Sequence, residues 1–378
     1  MITGESELNR LLTSNDTTRN KIHLMRIATV GRAFPPYRYD QEEISTKLKE
    51  VWKDYASVLR RLPALHENVL VKQRYLSLPI EEYIKPRSFG ANNDTWIRVA
   101  QDLGEAAINE ALEAVDLKVE DIDALFTVSV TGIASPSLDA RLVNRMGLRP
   151  DLKRTPIFGL GCVGGVAGLS RAADYVRAFP DQVAVLLSVE LCSLTFQHDD
   201  RSMANLISCG LFGDGAAAVI IVGEERAKKM GLKAPRILGT RSVFYPDTEE
   251  IMGWRVTDTG FKLILSPEVP AVAREMLAPD ADRFLADNSL VRDDISAWVC
   301  HPGGPKVLSA MQAGLGLPDE AVQRSWDALA EQGNLSSSSV LIVLRETLAA
   351  GPPKAGAHGL CIAMGPAFCS EFVLFQWD

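Results

Sequence analysis

A cysteine between two glycine pairs is the first residue whose setting suggests chemistry. Cys162 follows Gly159-Leu160-Gly161 at the junction of a predicted strand and a predicted helix of small residues. A thiol at a helix N-terminus faces unpaired backbone N–H groups and the positive end of the helix dipole, which favour the thiolate. The neighbouring glycines let a substrate approach the backbone closely. We therefore predict a reactive nucleophile, against the alternative of a buried structural cysteine.

A histidine and an asparagine farther along the chain could supply a base and a hydrogen-bond donor. His301 is one of five histidines and opens the turn His301-Pro302-Gly303-Gly304-Pro305. Imidazole is the side chain best suited to exchange a proton near neutral pH. Asn334 lies in Gly333-Asn334-Leu335-Ser336-Ser337, before a predicted helix, and its amide N–H groups could donate to a developing enolate or oxyanion. Taken singly, both residues are also typical of turns and helix caps.

The elements around these residues alternate between strand and helix. The hydrophobic pattern predicts strands at Ala124–Val130, Gln182–Val189 and Ala216–Val222, and helices at Ser137–Met146 and Val163–Phe179. Such alternation is typical of an α/β protein with a largely covered sheet. After a charged stretch, Glu224–Lys233, which we expect to be a surface connection, the pattern repeats. Because each half places a candidate reactive residue after a strand, we predict two similar units that face each other.

The N-terminal region is predicted to be mainly polar and helical. Residues 1–20 are polar and of mixed charge, as in a loose arm. Apolar residues at spacings of three and four predict one helix over Gln41–Leu62. Asn93-Asp94-Thr95 are suited to cap the next helix, which is predicted to run to about Ala114.

Composition limits the class of protein without identifying it. The chain has 378 residues, of which 47% are hydrophobic and 23% charged, as in soluble globular proteins. Its net charge of −8 disfavours a nucleic-acid partner. No apolar run reaches the roughly 18 residues of a membrane helix, and six scattered cysteines without a CxxC pair are typical of reduced thiols, so we expect a cytoplasmic protein without stable membrane insertion. Zinc-ligand spacing, a phosphate-binding Gly-Lys-Ser/Thr and a Gly-x-Ser-x-Gly elbow do not occur.

Four motifs in register resemble the thiolase superfamily, and specifically the type III polyketide synthases (chalcone and stilbene synthase-like enzymes). They are Gly161-Cys162-Val163-Gly164-Gly165, Leu211-Phe212-Gly213-Asp214-Gly215-Ala216-Ala217, His301-Pro302-Gly303-Gly304-Pro305 preceded by Ile295–Trp298, and Gly333-Asn334-Leu335-Ser336-Ser337. The resemblance implies an α/β, five-layered αβαβα fold of two pseudo-duplicated halves, normally a homodimer. We place a polar arm at residues 1–24, the half with the cysteine at 25–228, and the half with the histidine and asparagine at 229–378.

The resemblance also implies a catalytic scheme. Cys162 would take an acyl group from coenzyme A as a thioester, and His301 would hold the thiolate as an ion pair. With Asn334, His301 would stabilise the enolate that forms when malonyl-CoA loses carbon dioxide. The substrates are therefore acyl-CoA and malonyl-CoA, with no further cofactor and no metal ion, and an acyl carrier protein is a possible but not a required partner.

Further positions follow from the same resemblance. Phe212 falls at the gatekeeper position between the coenzyme A tunnel and the reaction cavity, and Thr195 and Cys192 fall on the cavity wall, where Cys192 resembles bacterial members that accept fatty acyl starters. The other expected substrate contacts are Leu263, Ser336, Gly303, Gly304, Lys72 and Arg74. Two basic positions expected near the coenzyme A entrance hold Ala64 and Asn68 instead, and Ala367 replaces a glycine of the C-terminal loop.

Our leading hypothesis is a bacterial-type enzyme that makes alkylpyrones or alkylresorcinols from long-chain acyl-CoA and malonyl-CoA. One alternative is a 3-oxoacyl-[acyl-carrier-protein] synthase III with a single condensation, which the Pro302-Gly303-Gly304-Pro305 turn and the Phe212 motif disfavour. Another alternative keeps the polyketide class with an aromatic or malonyl starter. A non-catalytic thiolase-fold subunit is the last, and the presence of Cys162, His301 and Asn334 together disfavours it.

Overall fold

The structure, a computed structural model, describes residues 24–378. The expected N-terminal arm, residues 1–24, lies outside this range except for Leu24. The strands are β1 (Met25–Ala33), β2 (Tyr37–Asp40), β3 (Gln73–Leu76), β4 (Ala124–Val128), β5 (Lys153–Ile157), β6 (Val183–Leu191), β7 (Asp214–Gly223), β8 (Arg236–Phe244), β9 (Met252–Thr257), β10 (Gly260–Leu265), β11 (Ile295–Cys300), β12 (His358–Gly365) and β13 (Cys369–Gln376). The helices are α1 (Gln41–Val51), α2 (Ala56–Asn68), α3 (Phe89–Glu113), α4 (Leu138–Met146), α5 (Gly164–Ala178), α6 (Met203–Leu211), α7 (Glu224–Met230), α8 (Val269–Asp287), α9 (Pro305–Leu315), α10 (Gln323–Gln332) and α11 (Ser337–Ala349).

The main sheet consists of two halves with the same pattern of strand pairing. Its order is β11-β12-β13-β8-β1-β7-β6-β4-β5, and β1 and β8 join the halves through Met25↔Ile237 and Arg26↔Arg236. In the first half β4 is parallel to β6, which is antiparallel to β7, which is antiparallel to β1. In the second half β11, β12, β13 and β8 repeat that sequence of pairings. The expected pseudo-duplication is therefore present in the sheet itself.

Helices cover both faces of each half and also separate them. Helices α5 and α11 pack against strands of both halves and against each other in the middle of the molecule. Helix α3 covers the outer face of the first half, and α8 and α9 cover that of the second. Because α5 begins with small residues, Gly164-Gly165-Val166-Ala167-Gly168, the central layer packs closely. The predicted five-layered αβαβα arrangement is confirmed.

Two local predictions near the N-terminus were wrong. The helix predicted over Gln41–Leu62 is two helices, because Trp52 ends α1 by turning its buried indole inward, where Nε1 donates to the carbonyl of His198 at 3.0 Å. Helix α3 starts earlier than predicted because Ser88 caps it, with Oγ accepting from the Ala91 N–H at 3.2 Å. The segment Glu224–Lys233 lies mainly at the surface between β7 and β8, as expected, and contains helix α7.

Two small hairpins lie outside the main sheet. Strands β2 and β3 pair with each other, and β9 pairs with β10. Within residues 24–378 no helix combines the length and apolar character needed to cross a bilayer. The central helices α5 and α11 begin just after Cys162 and Asn334, the predicted nucleophile and the predicted amide donor.

Candidate active site

The glycines around Cys162 bring two helix N-termini into contact. Cys162 lies in a short 3-10 turn, Gly161–Val163, directly before α5. Gly161 has φ +55°, and a Cβ there would lie 2.6 Å from the Pro366 ring. A Cβ on Gly165 would lie 2.2 Å from the backbone oxygen of Ser337, in the first turn of α11. Side chains at these positions would thus push apart the segments that must meet at the thiol.

The segment before α11 reaches the thiol from the other half of the molecule. The side chains of Asn334 and Ser336 lie close enough to the Cys162 thiol to lower its pKa. Asn334 is itself fixed, since its Nδ2 donates to the carbonyl of Gly303 at 3.0 Å and its Oδ1 accepts from the Ser336 N–H at 2.8 Å. An amide nitrogen has two donor hydrogens, so one remains for another acceptor after the bond to Gly303. The predicted nucleophile and the predicted amide donor are therefore neighbours.

His301 is held by its backbone and leaves its ring available. Its N–H donates to the carbonyl of Ile362 at 2.9 Å, at the end of β11. The ring is buried, and among residues 24–378 neither ring nitrogen has a hydrogen-bond partner. A Cβ on Gly303 would lie 3.4 Å from Nε2, so the glycine keeps that side of the imidazole open. Because buried polar atoms are nearly always paired, this ring is suited to meet a reacting group.

Burial controls the protonation of both reactive groups. Burial raises the pKa of Cys162 to about 11, although hydrogen bonds from Ser336 and Asn334 lower it, and the nearby Glu190 carboxylate raises it. Burial also lowers the pKa of His301 to about 3. Burial therefore opposes the thiolate form of Cys162, which the helix N-terminus favours, and it also opposes the imidazolium form of His301.

Phe212 is placed beside Asn334 by backbone pairing. The Gly213 N–H donates to the carbonyl of Asn334 at 3.0 Å, and the Asn334 N–H donates to the carbonyl of Leu211 at 2.9 Å. Arg74, which was predicted to bind substrate, is buried, and its Nη1 donates to the carbonyl of Phe212 at 2.7 Å. Its Nη2 donates to the carbonyl of Cys209. These contacts give Arg74 the geometry of a residue that holds the backbone at the site.

A cavity with mainly apolar walls lies next to Phe212. The predicted residues Cys192, Thr195, Leu263 and Arg74 all line it, and Thr195 Oγ1 donates to the carbonyl of Cys192 at 2.7 Å. The sequence did not indicate its other apolar walls, which are Ile44, Leu48, Val51, Leu76, Ile80, Ile84, Phe196, Trp254 and Phe261. They come from α1, the β9–β10 hairpin and the segments that follow β3 and β6.

The remaining predicted contacts lie outside this cavity lining. Gly303 accepts a hydrogen bond from Asn334 and lies against the His301 ring, and Gly304 has φ +141° just before α9. Lys72 has a side chain that is 75% exposed and lies 4.0 Å from Glu331. Phe212 belongs to the cavity lining, and its backbone pairs with that of Asn334.

A buried carboxyl group near Cys162 was missed. Glu190 Oε2 accepts from the Val130 N–H at 3.1 Å and from Thr131 Oγ1 at 2.9 Å, and its Oε1 accepts from the Ser337 hydroxyl. Burial raises the pKa of Glu190. One acidic residue in the otherwise apolar run Val183–Leu191 was the signal that could have identified it. Within residues 24–378 no three His, Cys, Asp or Glu side chains lie close enough together to share a metal ion.

Comparison with protein families gives two adjacent matches. A model of the N-terminal domain of chalcone and stilbene synthases matches residues 13–225. A model of the C-terminal domain of the same enzymes matches residues 237–376. Together these matches span most of the chain, including all the motifs around Cys162, His301 and Asn334.

Individual proteins and structures agree with the family match. A 1,3,6,8-tetrahydroxynaphthalene synthase of Streptomyces peucetius subsp. caesius is 48% identical over 351 residues, 93% of each chain. A putative chalcone synthase of Bacillus subtilis is 38% identical over 93% of this chain and 98% of its own. The crystal structure of the tetrahydroxynaphthalene synthase of Streptomyces coelicolor, a bacterial type III polyketide synthase, superposes with a TM-score of 0.87 at 31% identity, covering 93% of this chain and 99% of that chain.

Proposed function

Because this chain belongs to the chalcone and stilbene synthase family and is a type III polyketide synthase, we propose that it loads a long-chain fatty acyl group from coenzyme A onto Cys162 and extends it with malonyl-CoA. The observation that carries the choice of starter is the apolar cavity beside Phe212. Burial of apolar surface is worth about 0.8 kcal/mol per methylene, so such walls favour an alkyl chain over water or a polar group. The product would be an alkylpyrone or alkylresorcinol.

In the loading step, His301 takes the thiol proton of Cys162, and the thiolate sulfur attacks the carbonyl carbon of the acyl-CoA. The new carbon–sulfur bond forms as the bond to coenzyme A breaks, and the departing coenzyme A thiolate takes the proton back from the imidazolium. Since burial opposes each charge alone, the two charges have to form together as a pair. A buried, unpartnered imidazole supports this role for His301.

In the extension step, malonyl-CoA loses carbon dioxide and the electron pair of the broken carbon–carbon bond moves to the enolate oxygen. The free N–H of Asn334 and an N–H of His301 would stabilise that oxygen. The enolate carbon then attacks the Cys162 thioester, the carbon–sulfur bond to Cys162 breaks, and the chain, longer by two carbons, leaves on coenzyme A. The released thiolate takes a proton from His301, which regains one from solvent, so that the thiol is restored for the next loading step. This scheme uses only coenzyme A thioesters and no other cofactor.

A malonyl starter is the second candidate, because a relative that is 48% identical is a 1,3,6,8-tetrahydroxynaphthalene synthase. Phloroglucinol synthase and 3,5-dihydroxyphenylacetyl-CoA synthase are also among the relatives. All three names describe polyhydroxylated aromatic rings without an alkyl tail. On this alternative the apolar cavity would hold the growing chain and not a fatty acyl tail.

We also propose that the enzyme is a homodimer. Strand β5 is at the end of the main sheet, residues 153–156 are exposed, and the Phe158 side chain that follows is 55% exposed. An open strand edge with an exposed aromatic residue beside it is suited to pair with a second copy. Light scattering should give the mass of a dimer, and the Phe158→Glu variant should dissociate more readily.

The starter is tested by mass spectrometry of the products from malonyl-CoA alone and with acyl-CoA starters from acetyl to stearoyl and benzoyl. Pyrones or resorcinols with a long alkyl tail would support the proposal. Tail-less polyhydroxylated products from malonyl-CoA alone, unchanged by added fatty acyl-CoA, would replace it with the second candidate. The Cys162→Ala variant provides the control, because it should form no product in either case.

A further inference from the structure

The β9–β10 hairpin forms one wall of the cavity without belonging to the main sheet. Trp254, Phe261 and Leu263 of this hairpin line the cavity, with Trp254 paired to Leu263 across the two strands. Within residues 24–378 the two strands pair only with each other. The position of this wall is therefore not fixed by a strand ladder and must depend on side-chain contacts.

One buried side chain forms hydrogen bonds to the hairpin turn, beside the packing of Phe261 on Phe89 and Phe158. Gln197 is only 7% exposed, and its Oε1 accepts from Thr259 Oγ1 at 2.6 Å. The two hydrogens on Nε2 are shared among three carbonyl oxygens, those of Thr259 at 3.3 Å, Phe261 at 3.2 Å and Thr195 at 3.2 Å. Because Thr195 also lines the cavity, the amide joins this part of the lining to the hairpin.

The segment that carries Gln197 is itself fixed to the body of the protein. Asn205 Nδ2 donates to the carbonyls of Gln197 at 2.9 Å and Asp200 at 2.6 Å. On the outer side, Lys262 Nζ lies 3.2 Å from Asp200 Oδ2, but the lysine side chain is 45% exposed. An ion pair this exposed contributes little, so the buried amide is the stronger of the two connections.

We propose that Gln197 is a positioning residue that sets the width of the acyl cavity and thereby selects the starter. The inference rests on the proposed function, in which this cavity holds the acyl group. Gln197 connects Thr195, two residues before it in the chain, to Phe261 and through the hairpin to Leu263 and Trp254. If its bonds are lost, the hairpin is free to move away from the wall, and the pocket no longer excludes starters of other lengths.

The test compares Gln197→Glu with wild type. Glutamate keeps the size of the side chain and an acceptor for Thr259 Oγ1. It loses the N–H donors, and it places a carboxylate oxygen against the carbonyl oxygens of Thr195, Thr259 and Phe261. The measurement is kcat/KM for linear acyl-CoA starters from acetyl to stearoyl. We expect the preference for the best starter over its neighbours to fall by about tenfold, the scale on which a fitted pocket discriminates one methylene. Decarboxylation of malonyl-CoA without a starter should stay at the wild-type level, since the variant leaves Cys162, His301 and Asn334 unchanged.

Two further variants distinguish this role of Gln197 from a general loss of side-chain packing in the protein. Thr259→Val removes the hydroxyl bond to Gln197 and an exposed one to Thr257 Oγ1, but it keeps the Gln197 donor, and it should flatten the same profile to a smaller degree. Gln101→Glu is the matched control, because Gln101 Nε2 also donates to a backbone carbonyl, that of Ile97 at 2.8 Å, but in α3. A flattened profile in Gln101→Glu, or an unchanged profile in both Gln197→Glu and Thr259→Val, would overturn the proposal.

The same variants remain informative if the fatty acyl starter is wrong. If wild type uses malonyl-CoA alone, the readout becomes the distribution of the number of condensations in the products. A broader distribution in Gln197→Glu than in wild type and Gln101→Glu supports the role of Gln197, and an unchanged distribution refutes it. Failure of the starter proposal is seen in wild type, whereas failure of this inference is seen only in the variants.

Discussion

Replacing Arg74 by methionine should destabilise the protein and leave coenzyme A binding unchanged. Arg74 is 2% exposed and donates to the carbonyls of Phe212 and Cys209 and to Gln41 Oε1. Methionine fills the space of the arginine stem but offers no donor, so the two carbonyls and the amide oxygen lose their partners. A buried acceptor left unsatisfied costs about 1–3 kcal/mol, and we therefore expect a loss of about 3–5 kcal/mol in the free energy of unfolding.

The magnitude can be followed by calorimetry. The entropy of unfolding is about 2.1 cal/mol/K per residue, or about 0.8 kcal/mol/K for 378 residues. A loss of about 3–5 kcal/mol should therefore lower the Tm by about 4–6 °C. Lys72→Met is the matched control, since the Lys72 side chain is 75% exposed and should change stability by no more than about 0.5 kcal/mol.

The kinetic comparison decides between the two roles of Arg74. If Arg74 holds the backbone, the KM for acyl-CoA of the folded Arg74→Met variant should match that of wild type, whereas Lys72→Met should raise it if Lys72 meets the coenzyme. A wild-type Tm together with a strongly raised KM in Arg74→Met would refute this reasoning and would support the original prediction that Arg74 binds the substrate directly.

Three further outcomes are expected. Asn334→Ala should slow decarboxylation of malonyl-CoA by about 10²–10³, as for loss of one oxyanion donor, with acylation of Cys162 retained; equal loss of both steps in stopped-flow assays would contradict the assignment. Ala367→Gly should raise the free energy of unfolding by about 0.5–1 kcal/mol, because Ala367 has φ +54°, and an unchanged Tm would contradict this strain. Burial lowers the pKa of His66 to about 3, so the unfolded chain binds more protons between pH 6.5 and 3 and stability should fall as the pH falls through that window. In urea titrations His66→Gln should show a smaller loss, and a slope equal to that of wild type would refute this.

The residues of the reaction centre were predictable because their signals are local. Cys162, His301 and Asn334 each lie at the end of a strand or the start of a helix, and glycines that permit close approach surround them in the sequence. The duplicated halves then bring the starts of α5 and α11 together, which explains why residues far apart in the chain meet. The protonation state was not predictable, since it depends on burial by segments such as Pro366 and Ser337 that no local pattern reveals.

The cavity walls were not predictable for a different physical reason. Trp254 and Phe261 line the cavity because the β9–β10 hairpin packs against the segment after β6, where Gln197 bonds to the hairpin turn. The residues beside Gln197 in the sequence give no sign of a buried amide. The break at Trp52 is similar, because the carbonyl of His198 that receives its indole N–H lies far away in the chain. In these cases tertiary contacts override the local pattern.

The nucleophile is tested most directly by mixing the enzyme with acyl-CoA in the absence of malonyl-CoA, quenching rapidly and mapping the acylated peptide by mass spectrometry. Cys192 and Cys209 are the competing thiols, since both line the cavity. We expect one acyl group, on the peptide that contains Cys162, and none in Cys162→Ala. An acyl group on Cys192 or Cys209, or one that persists in Cys162→Ala, would contradict the account.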